Sequence, residues 1–124
     1  MKLDYECIRD LLLEIEATTT YKDFFTLSND GKLKNYSFDK LQYHLRQCNL
    51  AGFLYQYTEY MDGGISVIDL SFQGHDFLNA IRTDKIWSST KNICKELGVK
   101  TLNGLIQISS QVIAQVISKH FGMW

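Results

Sequence analysis

The sequence predicts an α+β fold that is mostly helical and is built on a capped helix that passes directly into a β-hairpin. Three observations predict it. Apolar side chains recur at steps of three and four through residues 37–50, and Gly52 follows at the point where this helix has to stop. Residues 53–60 and 65–70 then alternate in the manner of strands, with a Gly-Gly turn between them.

The length and composition predict one compact domain. The chain has 124 residues, of which 45% are hydrophobic, and no proline. This is enough apolar material for a sizeable core. We divide the chain into a core over residues 1–82 and a helical extension over residues 83–124 that packs on the core.

The first helix is predicted over residues 4–16. Its apolar side chains share one face, and the acidic ones lie mostly on the other. Asp4 is placed to accept a free amide of the first turn, and Thr18-Thr19-Thr20 is expected to end the helix. The apolar face comprises Tyr5, Ile8, Leu11, Leu12 and Ile15.

Residues 21–35 leave two interpretations open. Asn29-Asp30-Gly31 can form a tight turn, because Asp-Gly supplies the positive φ that such a turn requires. A short hairpin and an irregular loop with one extended piece both fit this pattern. We favour the loop.

The central helix and the hairpin have the shape of a winged-helix reader and its wing. Ser37 is the predicted cap, Asp39 lies in the first turn, and Gly52 ends the helix. The turn of the wing is Asp62-Gly63-Gly64. The predicted buried stripe of the helix comprises Phe38, Leu41, Leu45 and Cys48.

Three further helices are predicted after the hairpin. Ser71 caps the first, a cap near Thr83 begins the second, and Gly98 stops it. The last runs from Thr101 to His120 and has no charged residue before Lys119. This favours a homodimer interface over a singly buried helix with a neutral outer face. The predicted interface comprises Leu105, Ile106, Val112, Ile113, Val116 and Ile117.

The charged residues are unevenly placed, although the net charge is −1. Residues 1–16 carry two basic and five acidic residues, and residues 28–50 carry four basic and two acidic ones. Residues 51–81 hold four acidic and no basic residues, and residues 82–124 hold six basic and two acidic ones. The three cysteines form no CxxC pair, which favours a reducing cytoplasm, and we expect neither a signal peptide nor a membrane span.

Two resemblances follow from these motifs. The run His44-Leu45-Arg46-Gln47-Cys48-Asn49-Leu50-Ala51-Gly52-Phe53-Leu54 resembles the "HL-x-x-L-x-x-AGL-I" segment of metal- and stress-responsive winged-helix repressors, whose matching helix lies in the DNA major groove. The chain also resembles an uncharacterised bacterial and prophage winged-helix family, domain of unknown function 2513. This second resemblance implies a winged-helix core with added helices and no particular activity. Its matching pieces are Met1-Lys2-Leu3-Asp4, Ile8-Arg9, Tyr43-His44-Leu45, Ala51-Gly52-Phe53-Leu54, Gly74-His75-Asp76-Phe77-Leu78, Ile81-Arg82 and Ile86-Trp87.

Two functions are therefore expected as alternatives. The first is a DNA-binding, transcription-regulator-like protein from a prophage or mobile element, which contacts double-stranded DNA as a homodimer. The predicted DNA-binding residues are Lys40, Tyr43, Arg46 and Gln47 in the groove, with Lys32 and Lys34 on phosphates. The second is a module that binds a host protein on the same scaffold. It is favoured by a wing that carries Glu59 and Asp62 and no basic residue.

The remaining polar clusters favour neither catalysis nor a metal site. His44 and Cys48 share a helical face, but two ligands do not make a site, and a buried structural pair is the better interpretation. His75 and Asp76 are adjacent on a helix, so their side chains point apart, and no nucleophile accompanies them. We therefore expect no enzyme activity, no metal and no cofactor.

Overall fold

The computed structural model describes residues 1–28 and 33–122. Within them the chain forms five helices and a small three-stranded antiparallel sheet. The predicted class, α+β and mostly helical, is confirmed. The elements are α1 Tyr5–Thr18, β1 Phe25–Leu27, α2 Phe38–Leu50, β2 Leu54–Glu59, β3 Ile65–Leu70, α3 Phe72–Ile81, α4 Asp84–Leu97 and α5 Leu102–His120.

Two compact units make up the chain, Met1–Asp76 and Phe77–Trp124. The division falls inside α3, whereas the sequence suggested a boundary after residue 82. The packing of the C-terminal extension on the core stays a prediction.

The sheet of the first unit has the strand order β1-β3-β2. β3 is the central strand and pairs antiparallel with both neighbours, so Phe25 and Tyr57 flank Val67. β1 and β2 are the two edges of this sheet within the described chain. On β2, Gln56 has a φ of 56°, in the left-handed region, and it forms none of the ladder pairs that join its neighbours to β3.

The core of the first unit lies between the two helices and the sheet. α1 contacts α2 and β3, and α2 contacts β2. The apolar stripes predicted for both helices supply most of this core, although Phe38 is only half-buried. The side chain of His44 on α2 is fully buried as well. The buried apolar side chains are Cys7, Ile8, Leu11, Leu12, Ile15, Phe25, Leu27, Leu41, Leu45, Cys48, Phe53, Leu54, Ile65, Val67 and Leu70.

The predicted caps of α1 and α2 are confirmed. The carboxylate of Asp4 accepts the Glu6 amide at 3.0 Å, and the Ser37 hydroxyl accepts the Lys40 amide at 3.2 Å. α1 runs two residues beyond its predicted end, because the Thr18 hydroxyl donates to a carbonyl of the helix's last turn instead of ending it.

The loop interpretation of residues 21–35 is confirmed in part. Its one extended piece is β1, whose Phe25 and Leu27 point into the core while Thr26 is exposed. The predicted Asn29-Asp30-Gly31 turn lies outside the described residues.

In the second unit, α4 and α5 contact each other. α4 has the predicted cap at Thr83, and Thr101, which was predicted as the start of α5, is its cap. The Thr83 hydroxyl accepts the Ile86 amide, and the Thr101 hydroxyl accepts the Gly104 amide. Gly98 ends α4 with a φ of 70°, as expected for a glycine stop. The buried residues of this unit are Phe77, Leu78, Ile81, Trp87, Thr90, Cys94, Leu105, Ser109 and Val112.

Gly74 lets α3 approach the start of β2. Its amide donates to the Ser71 hydroxyl at 3.1 Å, which confirms Ser71 as the cap. A Cβ at position 74 would overlap the backbone carbonyl oxygen of Phe53, which cannot move without moving the strand. The close approach therefore requires glycine here.

We expect Gly74→Ala to lower the free energy of unfolding by roughly 1–3 kcal/mol, because the added methyl overpacks a backbone contact. Alanine normally stabilises a helix interior relative to glycine, so the sign of this change is diagnostic. Urea denaturation measures it.

Gly104 provides a matched control, because it too is the third residue of its helix. The obstruction there is a methyl group of the Val99 side chain, which can rotate away. A near-neutral Gly104→Ala alongside a destabilised Gly74→Ala is the expected pair. Equal effects would contradict the backbone explanation.

Candidate recognition surface

The outer face of α2 and the tip of the β2–β3 hairpin enclose a cleft of about 360 Å³. Gln42 on α2 joins its two walls, because its side-chain amide donates to the Gly63 carbonyl at 2.7 Å. The cleft therefore has a fixed width at this end. Its lining residues are Asp39, Gln42, Tyr43, Arg46, Glu59, Tyr60, Met61, Gly63 and Ile65.

Arg46 and Glu59 form a bidentate ion pair across this cleft. The guanidinium Nε and Nη2 donate to the two carboxylate oxygens at 2.8 and 2.7 Å. The Tyr57 hydroxyl donates to the same carboxylate. The hydrogen bonds from Arg46 and then from Tyr57 lower the pKa of Glu59 to about 2. α2 is thus attached to the β2–β3 hairpin by a carboxylate that stays charged at physiological pH.

Lys40 is paired with the N-cap of α1. Its Nζ lies 2.6 Å from the Asp4 carboxylate and 5.2 Å from the centre of the Tyr36 ring. The hydrogen bond that Lys40 donates to Asp4 raises the pKa of Lys40. Burial opposes the ionisation of Asp4, but the hydrogen bond and charge of Lys40 outweigh it and lower the pKa of that carboxyl. One cation of the predicted DNA-reading face therefore serves the contact between the two helices.

Lys34 and Tyr36 share a second carboxylate on α1. The Lys34 Nζ lies 3.0 Å from Asp10, and the Tyr36 hydroxyl donates to the other oxygen of Asp10 at 2.6 Å. Asp10 is only 8% exposed, so these two groups are its compensation for burial. Burial and then the Asp10 hydrogen bond raise the pKa of Tyr36.

The described cations among the predicted DNA-binding residues are thus all paired with carboxylates of their own chain. Lys34 and Arg46 remain 64% and 61% exposed, while Tyr43 and Gln47 are half-buried. Lys32 lies outside the described residues. DNA contact by this set stays a prediction, and its available positive charge is smaller than the sequence suggested.

His44 is completely buried and joins α2 to the start of α1. Its Nε2 lies 2.8 Å from the Asp4 backbone nitrogen, and its Nδ1 lies 2.8 Å from the Lys40 carbonyl oxygen. The amide can only donate and the carbonyl can only accept, so Nδ1 carries the proton and the imidazole is neutral. Burial lowers the pKa of His44. The predicted structural role of this histidine is confirmed.

We expect acid to destabilise the first unit through His44. The unfolded chain binds a proton on His44 near its ordinary pKa of 6.5, whereas the folded chain binds it only at lower pH. The free energy of unfolding is therefore highest above pH 6.5 and falls as the pH drops through the window below it. Urea midpoints measured between about pH 8 and about pH 5 should show the decline.

His44→Gln keeps an acceptor for the Asp4 amide but cannot be protonated, so we expect it to flatten that decline. His75→Gln is the control, since His75 is 42% exposed and its Nε2 lies 3.4 Å from Asp69. A decline that follows His75 and not His44 would contradict this assignment.

The other predicted clusters are placed as follows. The Cys7, Cys48 and Cys94 thiols are free and buried, and burial raises the pKa of Cys7 to about 12. Within the described residues, no three His, Cys, Asp or Glu side chains gather as metal ligands would. None of the helices in residues 1–28 and 33–122 has the length and apolarity that crossing a bilayer requires.

The predicted interface residues of α5 divide into two groups. Leu105 and Val112 are buried within the chain, and Ile106 and Ile113 are half-buried. Val116 and Ile117 are exposed, at 46% and 49%, and Phe121 follows them at 70%. The apolar surface available to a partner therefore lies at the C-terminal end of this helix.

Sequence reasoning missed the residues that pair with the predicted cations, and it missed several that line the cleft. Asp4, Asp10 and Glu59 lie 36, 24 and 13 positions from their partners along the chain. The signal was the alternation of acidic and basic segments, which can indicate contacts within the chain as well as contacts with an anionic ligand. Tyr60 and Met61 carry no such signal.

Comparison with known proteins gives a family and a relative. A family model described as "Hypothetical protein (DUF2513)" matches residues 2–100. An "Uncharacterized protein" of Haemophilus influenzae is 26% identical over 121 residues, which cover 95% of this chain and 100% of that relative. No solved structure matches the chain. The resemblance to an uncharacterised family is thereby confirmed, and its winged-helix and prophage aspects stay predictions.

Proposed function

We propose for this chain, which belongs to the DUF2513 family, a role as a non-catalytic protein-interaction module on a winged-helix scaffold, with the cleft between α2 and the β2–β3 hairpin as its binding surface. The partner is a protein of the host cell, and the chain acts in the cytoplasm as a prophage or mobile-element factor. Three free buried cysteines support a reducing compartment. The prophage origin is supported by the family resemblance.

The order of elements supports the winged-helix scaffold. A helix, a short strand, a central helix and a hairpin follow one another in the first unit, and β1 pairs with the second strand of the hairpin. Gly52 follows the end of the central helix, and its φ of 81° turns the chain directly into the hairpin. The described residues between β1 and α2 contain no further helix, so α2 directly follows a loop.

The pairing of the cations on α2 and in the segment before it is the observation that carries the proposal. Affinity for nucleic acid comes mainly from cations that neutralise phosphates. Lys34, Lys40 and Arg46 already neutralise carboxylates of the same chain. A phosphate backbone at these cations would lie against the carboxylates already paired with them and would be repelled by their charge. A protein partner can contact the same surface through uncharged groups.

The cleft also offers the residue types that dominate protein interfaces. Tyr60 is 54% exposed and Met61 is fully exposed at its rim, and Tyr43 lies on the opposite wall. Aromatic residues, Met and Arg are enriched in such interfaces. Arg46 uses only part of its guanidinium on Glu59, so N–H donors remain for a partner's carbonyl or carboxylate groups.

DNA reading by α2 is the second candidate, and it is favoured by the exposure of Lys34 and Arg46 next to a hairpin. Its test is binding of duplex DNA by Lys34→Gln/Arg46→Gln. If this variant loses most of the salt-dependent affinity of the wild type, α2 and the segment before it bind the DNA, and the cleft proposal loses its main support.

The cleft can be tested with a photo-crosslinking amino acid at position 61 in cells. We expect a discrete protein adduct from position 61 and none from position 21, because Tyr21 is equally exposed but lies outside the cleft. Tyr60→Ser should weaken the adduct about tenfold or more, as loss of an interface tyrosine typically does.

Tyr55→Ser is the matched control, since Tyr55 is 52% exposed on β2, the strand that precedes Tyr60, and does not line the cleft. The absence of any adduct from position 61 would overturn the proposal. So would an adduct that Tyr55→Ser removes as effectively as Tyr60→Ser.

We also propose that the chain is a homodimer joined through the C-terminal end of α5. No charged residue occurs between Thr101 and Ser118, and Val116 and Ile117 present apolar surface. We expect Val116→Asp/Ile117→Asp to convert a dimer into a folded monomer in analytical ultracentrifugation, because two carboxylates would be buried without partners.

Asn103→Asp/Gln107→Asp is the control, because it adds the same charge at exposed positions near the opposite end of the helix. This variant should remain dimeric. A monomeric wild-type chain would contradict the dimer.

A further inference from the structure

The two compact units have opposite charge. Met1–Asp76 contains seven basic and twelve acidic residues, and Phe77–Trp124 contains six basic and two acidic residues. The positive charge of this protein therefore belongs to the second unit, whereas the sequence drew attention to α2. The described cations of α2 and its entry are paired with carboxylates. The second unit is therefore the place to look for a cationic helix face.

The exposed face of α4 carries a stripe of hydrogen-bond donors. Lys85, Ser88, Asn92 and Lys95 are all exposed and follow one another at steps of three, four and three residues. At 3.6 residues per turn they fall within an arc of about 80°, and the two lysines lie about 15 Å apart along the axis. The opposite face buries Trp87, so the helix presents this stripe outward.

The two lysines of this stripe are free of ion pairs. Lys85 and Lys95 make no ion pair with any residue in the part of the chain that the structure describes, and the same holds for Lys100 just beyond the Gly98 stop. Lys91 lies over the Trp87 ring at 5.3 Å, beside the stripe. Glu96, exposed in the last turn, lies at its edge.

We propose that this face of α4 binds the phosphate backbone of duplex DNA. Lysine, serine and asparagine are donors that proteins use on phosphate oxygens, and the two neutral residues stand between the two charges. An α-helix fits the major groove of B-DNA, which is about 12 Å wide, and there it can reach the phosphates at the edges of the groove. The surface is distinct from the α2 cleft and does not depend on the function proposed for it.

Other anionic partners fit this face less well. A membrane surface takes up apolar side chains from an amphipathic helix, and this stripe carries none. Trp87 is buried, and the half-buried Ile86 and Ile93 and the exposed Leu97 lie on other sides of the helix. An acidic protein would be met by aromatic or Arg anchors, and lysine is depleted at such interfaces. Double-stranded RNA has a major groove too narrow for a helix.

The test is fluorescence anisotropy of a labelled mixed-sequence duplex across about 50 to about 200 mM salt. Each phosphate contact contributes about −0.9 to the slope of log K against log salt, so Lys85→Gln/Lys95→Gln should flatten the slope by about 1.8. The wild type should then lose about tenfold more affinity than this variant over that salt range. Lys85→Arg/Lys95→Arg should keep the wild-type slope.

Lys2→Gln/Lys22→Gln is the matched control, because it removes the same charge from exposed positions of the first unit and should leave the slope unchanged. Circular dichroism verifies the fold of each variant. No saturable duplex binding at the lowest salt would overturn the proposal.

The alternatives are separate outcomes of the same experiment. A slope that Lys34→Gln/Arg46→Gln flattens while Lys85→Gln/Lys95→Gln does not would overturn the α4 site and assign DNA to α2. Equal, Lys85- and Lys95-dependent binding to anionic lipid vesicles would overturn duplex DNA as the ligand. The first result would also remove the main support of the cleft proposal, whereas the second would leave that proposal untouched. Failure of the α4 site and failure of the cleft are distinguishable, because the crosslinking test of the cleft does not involve Lys85 or Lys95.

Discussion

The contact between the acidic helix α1 and the basic segment that enters α2 is the interaction on which the rest of the first unit depends. Asp4 and Asp10 hold Lys40, Lys34 and Tyr36, and the buried imidazole of His44 accepts the Asp4 amide between them. These bonds fix one helix on the other. The position of α2 in turn fixes the cleft, because Gln42 and Arg46 reach from it to the hairpin.

The ion pairs matter more for position and potential than for stability. Lys34–Asp10 and Arg46–Glu59 each have an exposed cation, and solvent screens ion pairs of this kind so that they contribute little to stability. Asp10 differs, because its carboxylate is buried and losing a partner would leave a charge without compensation. Together the pairs reduce the positive charge that α2 offers to an anionic ligand, whereas Lys85 and Lys95 of α4 form no ion pair with the described residues.

Local structure was predictable from the sequence, because it is set by neighbouring residues. Asp4, Ser37 and Ser71 act as caps, Gly52 turns the chain, and the apolar stripes lie on the core, each as expected from spacing. Pair formation between distant side chains was not predictable, because spacing along the chain does not show that Glu59 meets Arg46. The spacing of apolar residues located α2 correctly. It could not show that the cations of this helix are paired, so the positive charge available on α2 was overestimated. The charge of α4 was visible in the sequence, but its meaning depended on which cations were already paired.

The backbone conformation of Gln56 has a consequence for edge-to-edge pairing of β2 with another copy of the chain. β2 is an outer strand, and an unbroken outer strand invites pairing with another copy through its free amides and carbonyls. A left-handed residue in the middle of β2 interrupts that row, at a cost of about 1–2 kcal/mol for a side chain with a Cβ. β1, the other outer strand, has only three residues. The sheet is therefore a poor template for growth into fibrils.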